Sequence, residues 1–276
     1  MAKDSRIEWT HHTFNPWWGC VKVSPACAHC YAETWAHRLG AKLWGRDAPR
    51  RFFNDDHWKH PIRWNAEARR DGVRRRVFCA SMADVFEIRA ELNPWRTRLW
   101  PLIEQTPWLD WLLLTKRPQN VRRMAPWGDE WPANVWLGTT AEDQKRAELR
   151  IPHLLESPAH IHFISAEPLL GPLSIAKWSG VDWVIAGGES GHHARPTDPD
   201  WIRSLRDECS SASIAFHFKQ WGHWAPELPH GLTPKQKLQL VSRRNVETTL
   251  YGLGKTVAGR VLDGRTWDQF PGENRL

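Results

Sequence analysis

Short apolar runs that end in polar residues recur along the chain, and helical patterns separate them. "RVFCASMADVF" (Arg76 to Phe86), "LDWLLLTKRP" (Leu109 to Pro118), "NVWLGTTAED" (Asn134 to Asp143), "HIHFISAEPLLGPL" (His160 to Leu173), "DWVIAGGESG" (Asp182 to Gly191) and "IAFHFKQWG" (Ile214 to Gly222) all follow this plan. Between them lie "PWRTRLWPLIEQT", "PQNVRRMA", "QKRAELRIPHLLES" and "DPDWIRSLRDECSS", which read as helices. With a first strand just before Cys20, about seven strands alternate with helices at the spacing of βα units. Near-continuous apolar strands imply a parallel sheet covered on both faces. The expected fold class is therefore α/β, a full or partial (β/α) TIM-like barrel. In such folds the polar residues at the C-terminal strand ends are where chemistry is placed.

Two regions fall outside this rhythm. Residues 39–76 are basic and aromatic, with "WGRDAPRRFF" and "HWKHPIRW", and read as an insertion after the first helix. Residues 223–276 read as a C-terminal extension in which Asp263-Gly264 marks a hairpin turn. The expected organisation is a barrel over 1–222, carrying a cysteine loop at 14–33, followed by that extension.

Composition bounds the chemistry. The 276 residues are 41% hydrophobic and 25% charged, ordinary for a globular chain. No apolar run reaches the roughly 20 residues that span a bilayer, and the N-terminus lacks a signal-peptide core. A cytoplasmic protein without a membrane partner is expected, and there disulfides are rare. The net charge of +7 and the 20 tryptophans are compatible with a nucleic-acid or nucleotide partner. They are equally compatible with a basic surface over an aromatic core.

Against this background, three of five cysteines gather in "FNPWWGCVKVSPACAHCYAE" as C-x6-C-x2-C: Cys20, Cys27 and Cys30. Thiolates select zinc, copper or iron–sulfur clusters. A structural zinc site needs a fourth ligand, for which His29 or His37 is at hand. Three thiolates before a helix leave one iron of a 4Fe-4S cluster open to a cofactor. Cys79 and Cys209 read as buried hydrophobes.

The stretches "EWTHHTFNPWWGCVKVSPACAHCYAE", "VFCASMADVFE", "LLLTKRPQN", "WLGTTAEDQ", "FISAEPLLGPL", "WVIAGGESG", "ARPTDPDWIRSLRDEC", "FHFKQWGHW" and "GRVLDGRTWDQFP" cover nearly the whole chain. They resemble a phage- and bacterium-associated family of uncharacterised proteins with a three-cysteine motif, similar to a divergent branch of the radical S-adenosylmethionine superfamily. The resemblance implies a barrel of that type, a 4Fe-4S cluster on the three cysteines, bound S-adenosyl-L-methionine and a reductant that feeds the cluster an electron. The first cysteine gap is longer than the C-x3-C-x2-C usual there.

On that reading the strand ends supply the cofactor site: Ser81 and Asp84, Thr115 and Lys116, Thr139 and Glu142, Ser165 and Glu167, and the turn Gly187, Gly188 and Glu189. Arg117, Lys219, Gln220 and Trp221, with Arg50, Arg51 and Lys59 of the insertion, are the expected substrate contacts. Two other classes fit the same residues. One is a non-catalytic zinc- or cluster-bearing nucleic-acid-binding protein. The other is a nuclease holding magnesium on Asp84, Glu167 and Glu189.

Overall fold

The computed structural model describes residues 2–228 and 249–272. Strands β1 (His12–Thr13), β2 (Arg75–Cys79), β3 (Leu109–Thr115), β4 (Val135–Thr140), β5 (Ile161–Ala166), β6 (Trp183–Gly187) and β7 (Ala215–Gln220) form one seven-stranded sheet, in the order β1-β2-β3-β4-β5-β6-β7. Helices α1 (Tyr31–Arg38), α2 (Asp55–Asp71), α3 (Asn93–Glu104), α4 (Val121–Met124), α5 (Gln144–Leu155) and α6 (Pro199–Ser211) lie between strands in the chain. The strands run parallel, as in the register Val77 to Trp111, Leu113 to Leu137 and Val184 to Phe216. Each strand follows its chain predecessor in the sheet, which is the winding of a (β/α) barrel wall and not of a doubly wound sheet. This is the α/β class expected from the apolar runs, compatible with a partial TIM-like barrel. "PQNVRRMA" is shorter than its pattern suggests: a 3-10 turn over Pro118–Asn120 leads into the four residues of α4.

Packing divides the chain into two compact units. The first comprises Met1–Ser24, Ala32–Thr139 and Arg150–Phe163; the second comprises Pro25–Tyr31, Thr140–Leu149 and Ile164–Leu276.

The first unit holds a tryptophan-rich core. Phe14, Trp58, Trp64, Val77, Leu99, Trp111, Leu113 and Leu137 belong to one buried cluster. Trp58 and Trp64 come from α2, so residues 39–76 are built into this core. Helix α2 begins at Asn54, whose side chain accepts from the His57 amide, and ends at Gly72 in the left-handed region with φ 67°. Leading into it, Phe52 stacks on Trp95 and Phe53 on His57, with ring centroids 4.6 and 4.2 Å apart. Gly138 in β4 is required by contact: a Cβ there would lie 2.3 Å from the Phe163 ring.

In the second unit, β6 and β7 are buried along their lengths apart from half-buried Lys219. Antiparallel β8 (Trp224–Ala225) and β9 (Tyr251–Gly252) follow. The chain reverses at Asp263 and Gly264, both with positive φ (51° and 79°), and Leu262 bridges Arg265. That is the primed turn an Asp-Gly pair favours. The extension's residues 229–248 and 273–276 lie outside the described residues. Among the described residues no helix is long and apolar enough to cross a membrane.

Candidate functional site

Each unit carries a buried carboxylate held by an arginine at the C-terminal strand ends. The two arrangements are built differently.

In the first unit the turn after β2 is pinned by Asn15, whose Oδ1 accepts from the Met82 amide at 2.7 Å and whose Nδ2 donates to Ser81 Oγ at 3.0 Å. This aims Asp84 at the end of β3. Asp84 Oδ1 accepts from Thr115 Oγ1 (2.7 Å) and the Phe86 amide (3.0 Å). Its Oδ2 accepts from the Lys116 amide (3.1 Å) and Arg117 Nη1 (2.7 Å). Burial pushes the Asp84 carboxyl up, but Arg117 and these hydrogen bonds outweigh it and hold the group below the usual aspartate range. Arg117 is itself anchored, since its Nη2 donates to the Val21 carbonyl at 2.9 Å and its Nη1 lies 3.8 Å from Cys20 Sγ. The Thr139 hydroxyl donates to the Thr115 carbonyl at 2.9 Å. Asp84, Thr115, Lys116, Arg117 and Thr139 are thus brought together, and the Asp84 oxygens are saturated.

The insertion residues go elsewhere. Arg50 has a fully buried side chain that donates to the carbonyls of Leu43, Gly45 and Ala48 and pairs with Glu87 at 2.6 Å. Arg51 is exposed, its guanidinium 5.0 Å from the Trp18 ring centroid. Lys59 is exposed and paired with Asp56 at 2.8 Å.

In the second unit Glu189 is buried at the end of the turn after β6. Its Oε2 accepts from the Arg195 amide (2.8 Å) and Arg195 Nε (2.9 Å), and its Oε1 accepts from Arg195 Nη2 (2.5 Å). His29 Nδ1 stands 3.0 Å from Oε2. Arg195 Nη2 also donates to the Pro25 carbonyl at 3.0 Å. Burial raises the Glu189 carboxyl; its hydrogen bonds from Arg195 and His29 bring it below the usual glutamate range. Elsewhere in this unit, Glu142 Oε1 accepts from the Ala26 amide at 3.2 Å, and Glu167 pairs with Lys219 at 3.0 Å. Ser165 Oγ lies 3.5 Å from Glu167 Oε2. The cation that neutralises Glu167 at its strand end is thus Lys219.

The glycine pair before Glu189 serves the chain itself. A Cβ at Gly188 would sit 1.9 Å from the Trp221 carbonyl oxygen, and the Gly188 amide donates to the Gln220 carbonyl at 3.0 Å. A Cβ at Gly187 would meet Glu167 Oε1 at 3.1 Å. Trp221 is buried and donates from Nε1 to the Val261 carbonyl at 2.8 Å. Gln220 is buried with its Oε1 lacking a hydrogen-bond partner among the described residues.

Two participants escape a reading of the sequence, and a third has a different place from the one its spacing suggests. Asn15 and Arg195 have no motif of their own, although Arg195 follows Glu189 by only six residues. His29 suggests a metal ligand by its place between two cysteines, but here its Nδ1 faces Glu189.

Cys20, Cys27 and Cys30 are half-buried thiols outside any disulfide, whereas Cys79 and Cys209 are buried, as expected of core residues. Burial pushes the Cys20 thiol up to about 12, with the Asp84 charge adding to it and Arg117 opposing. Among the described residues no group of three or more His, Cys, Asp or Glu side chains is disposed to hold a metal ion. The donor chemistry of the motif suits a soft metal or a cluster. No curated protein and no solved structure matches the chain. Residues 4–271 match the model of one family, described as "Protein of unknown function (DUF5131)", and the chain belongs to that family.

Proposed function

We propose that the protein is an iron–sulfur enzyme of the radical S-adenosylmethionine type, acting on a nucleotide or nucleic acid. The observation that carries this reading is the segregation of the thiols. Three half-buried cysteines follow β1 in one loop, and the remaining two are core residues. Soft thiolates at this density favour iron–sulfur or zinc over hard cations. The strand order and the polar strand ends support it, because (β/α) sheets place their sites there.

Cys20, Cys27 and Cys30 would hold the cluster. When bound, it would supply an electron to S-adenosyl-L-methionine, which the chain's residues position and shield from water. Binding metal requires deprotonating the Cys20 thiol, so loading releases protons and is favoured by higher pH. Arg117 offers a cation beside that sulfur. Asp84 and Glu189 act as positioning residues: each fixes an arginine, and Glu189 orients the imidazole of His29.

The magnesium-nuclease reading has less support. A hard cation needs open carboxylate lone pairs, and both Asp84 and Glu189 are occupied by guanidinium and amide donors.

Anaerobic reconstitution with iron and sulfide, followed by reductant and S-adenosyl-L-methionine, tests the proposal. A brown protein that releases 5'-deoxyadenosine is expected. Cys20→Ala, Cys27→Ala and Cys30→Ala should each lose iron, and Cys79→Ala and Cys209→Ala should keep it. A colourless protein with stoichiometric zinc, or full iron retention in Cys27→Ala, overturns it.

A further inference from the structure

The first cysteine of the motif, Cys20, belongs to the first unit, together with Asp84 and Arg117. Its backbone is tied down on both sides. The Gly19 amide donates to the Met82 carbonyl, and the Gly45 amide donates to the Cys20 carbonyl, each at 3.0 Å. Gly19 has φ 111°, and a Cβ there would lie 2.5 Å from the Leu43 carbonyl oxygen, so only glycine fits this approach. The Met82 contact joins Cys20 to the turn that carries Asp84.

Arg117 reaches the same place from the end of β3. Its amide donates to Thr115 Oγ1 at 2.9 Å. Its guanidinium is nearly buried and held at both ends: Nη1 donates to Asp84 Oδ2 at 2.7 Å, and Nη2 donates to the Val21 carbonyl at 2.9 Å. Nη1 carries a second N–H, and Cys20 Sγ lies 3.8 Å from it, within hydrogen-bond reach for sulfur. The guanidinium cannot swing away from that sulfur without breaking a buried ion pair. The Asp84 charge acts on the same sulfur and disfavours further negative charge there; Arg117 acts in the opposite sense.

We propose that Arg117 is a positioning residue that raises the reduction potential of the cluster Cys20 would help to hold. This rests on the cluster part of the proposed function and is independent of the substrate. Hydrogen bonds to the ligating sulfurs and the charge around them set the potential of an iron–sulfur centre. Reduction adds one electron there; an external one-electron reductant is oxidised, and no bond forms or breaks. The guanidinium favours the added negative charge, and buried Asp84 opposes it. Without Arg117 the Asp84 charge would stand unopposed beside the sulfur, and electron entry would need a stronger reductant. A guanidinium that only ties Val21 to the strand end would affect stability and leave the potential where it is.

Redox titration of the reconstituted full chain, followed by the electron paramagnetic resonance of the reduced cluster, tests this. Iron and sulfide content is measured first in each protein. At the wild-type midpoint potential, Arg117→Gln should lower the ratio of reduced to oxidised cluster about ten-fold, which for one electron is about 59 mV. Arg117→Lys keeps a cation for Asp84 but lacks the planar fork that spans Asp84, Val21 and the sulfur. Its ratio should fall roughly three-fold, between the wild type and Arg117→Gln. Since it leaves Asp84 paired, Arg117→Lys also decides the matter if Arg117→Gln fails to fold. A wild-type midpoint in either variant at full iron content overturns the inference and leaves the proposed function standing. A wild-type chain that takes up no cluster overturns both.

Discussion

Two of the buried carboxylates, Asp84 and Glu189, solve the same electrostatic problem with different degrees of closure. Asp84 sits among donors from its own unit, its partner Arg117 is 10% exposed, and four hydrogen bonds saturate its oxygens. Glu189 is equally buried, but Arg195 is 30% exposed and His29 is 35% exposed. The first arrangement is a sealed cross-link between strand ends. The second has one buried end and one end at the surface, where an imidazole and a guanidinium meet water. A desolvated charge is tolerated only when its partners are equally committed. Partial exposure of the partners leaves them able to exchange protein contacts for a ligand at lower cost.

That contrast sets the order of expected effects. Asp84→Asn should be the most damaging change, because it strands the buried Arg117 charge; a loss of about 3–5 kcal/mol is expected in urea denaturation. A loss below about 1 kcal/mol would mean the first arrangement is as open as the second. Gly188→Ala should follow. The new methyl would overlap the Trp221 carbonyl, and overpacking of this kind costs about 1–3 kcal/mol. A neutral result would show that the turn before Glu189 is adaptable.

Glu189→Gln removes a charge-assisted pair but leaves an arginine that can turn to solvent. About 1–2 kcal/mol is expected, toward the lower end for such hydrogen bonds. On the proposed function its larger consequence should fall on the binding of S-adenosyl-L-methionine, with the absorbance of the proposed cluster preserved. Unchanged binding would make Glu189 purely structural.

Acid should discriminate more gently. Both carboxylates are depressed in the fold, so their contribution is present above the ordinary carboxylate range, about 4, and is lost as pH falls through the folded values. The stability gap between wild type and Asp84→Asn should therefore narrow below about pH 4. At milder acidity the first unit has a separate weakness. Burial, with Arg76 and Arg75 close by, lowers His11 to about 4, and its Nδ1 accepts from the Arg76 amide. The unfolded chain takes up that proton near pH 6.5 and the folded one does not, so stability should decline as pH falls from about 6.5 toward 4. His11→Asn, which retains an acceptor, should lessen this decline and leave the share of His57, which burial also lowers to about 4; an unaltered profile would assign the acid sensitivity elsewhere.

Strand positions were legible because apolar runs such as "LDWLLLT" and "WVIAG" are buried along all or nearly all of their length, a property set by local composition. The hairpin turn at Asp263-Gly264 was legible because two successive residues with positive φ favour Asp and Gly. The cysteine motif was legible as a donor set. The fate of the insertion was not. "RRFF" and "HWKHPIRW" interleave cations with aromatics, a pattern equally suited to a base-stacking surface and to a packed helix. Tertiary structure assigned Arg50 to Glu87 and Trp58 and Trp64 to the core, because burying large aromatics outweighs leaving them in water. It exposed Lys59, Arg63, Arg69 and Arg70 on the face left over. Likewise "GGESG" marked a tight approach from its glycines alone, but only the fold showed that the approaching group is the Trp221 carbonyl. Sequence by itself determined which segments become strands and which residues can ligate or ionise, since those depend on each residue's own chemistry and its near neighbours. Only the tertiary structure decided which charge meets which, because Asp84 with Arg117 and Asn15 with Met82 are pairings between distant segments that no local pattern encodes.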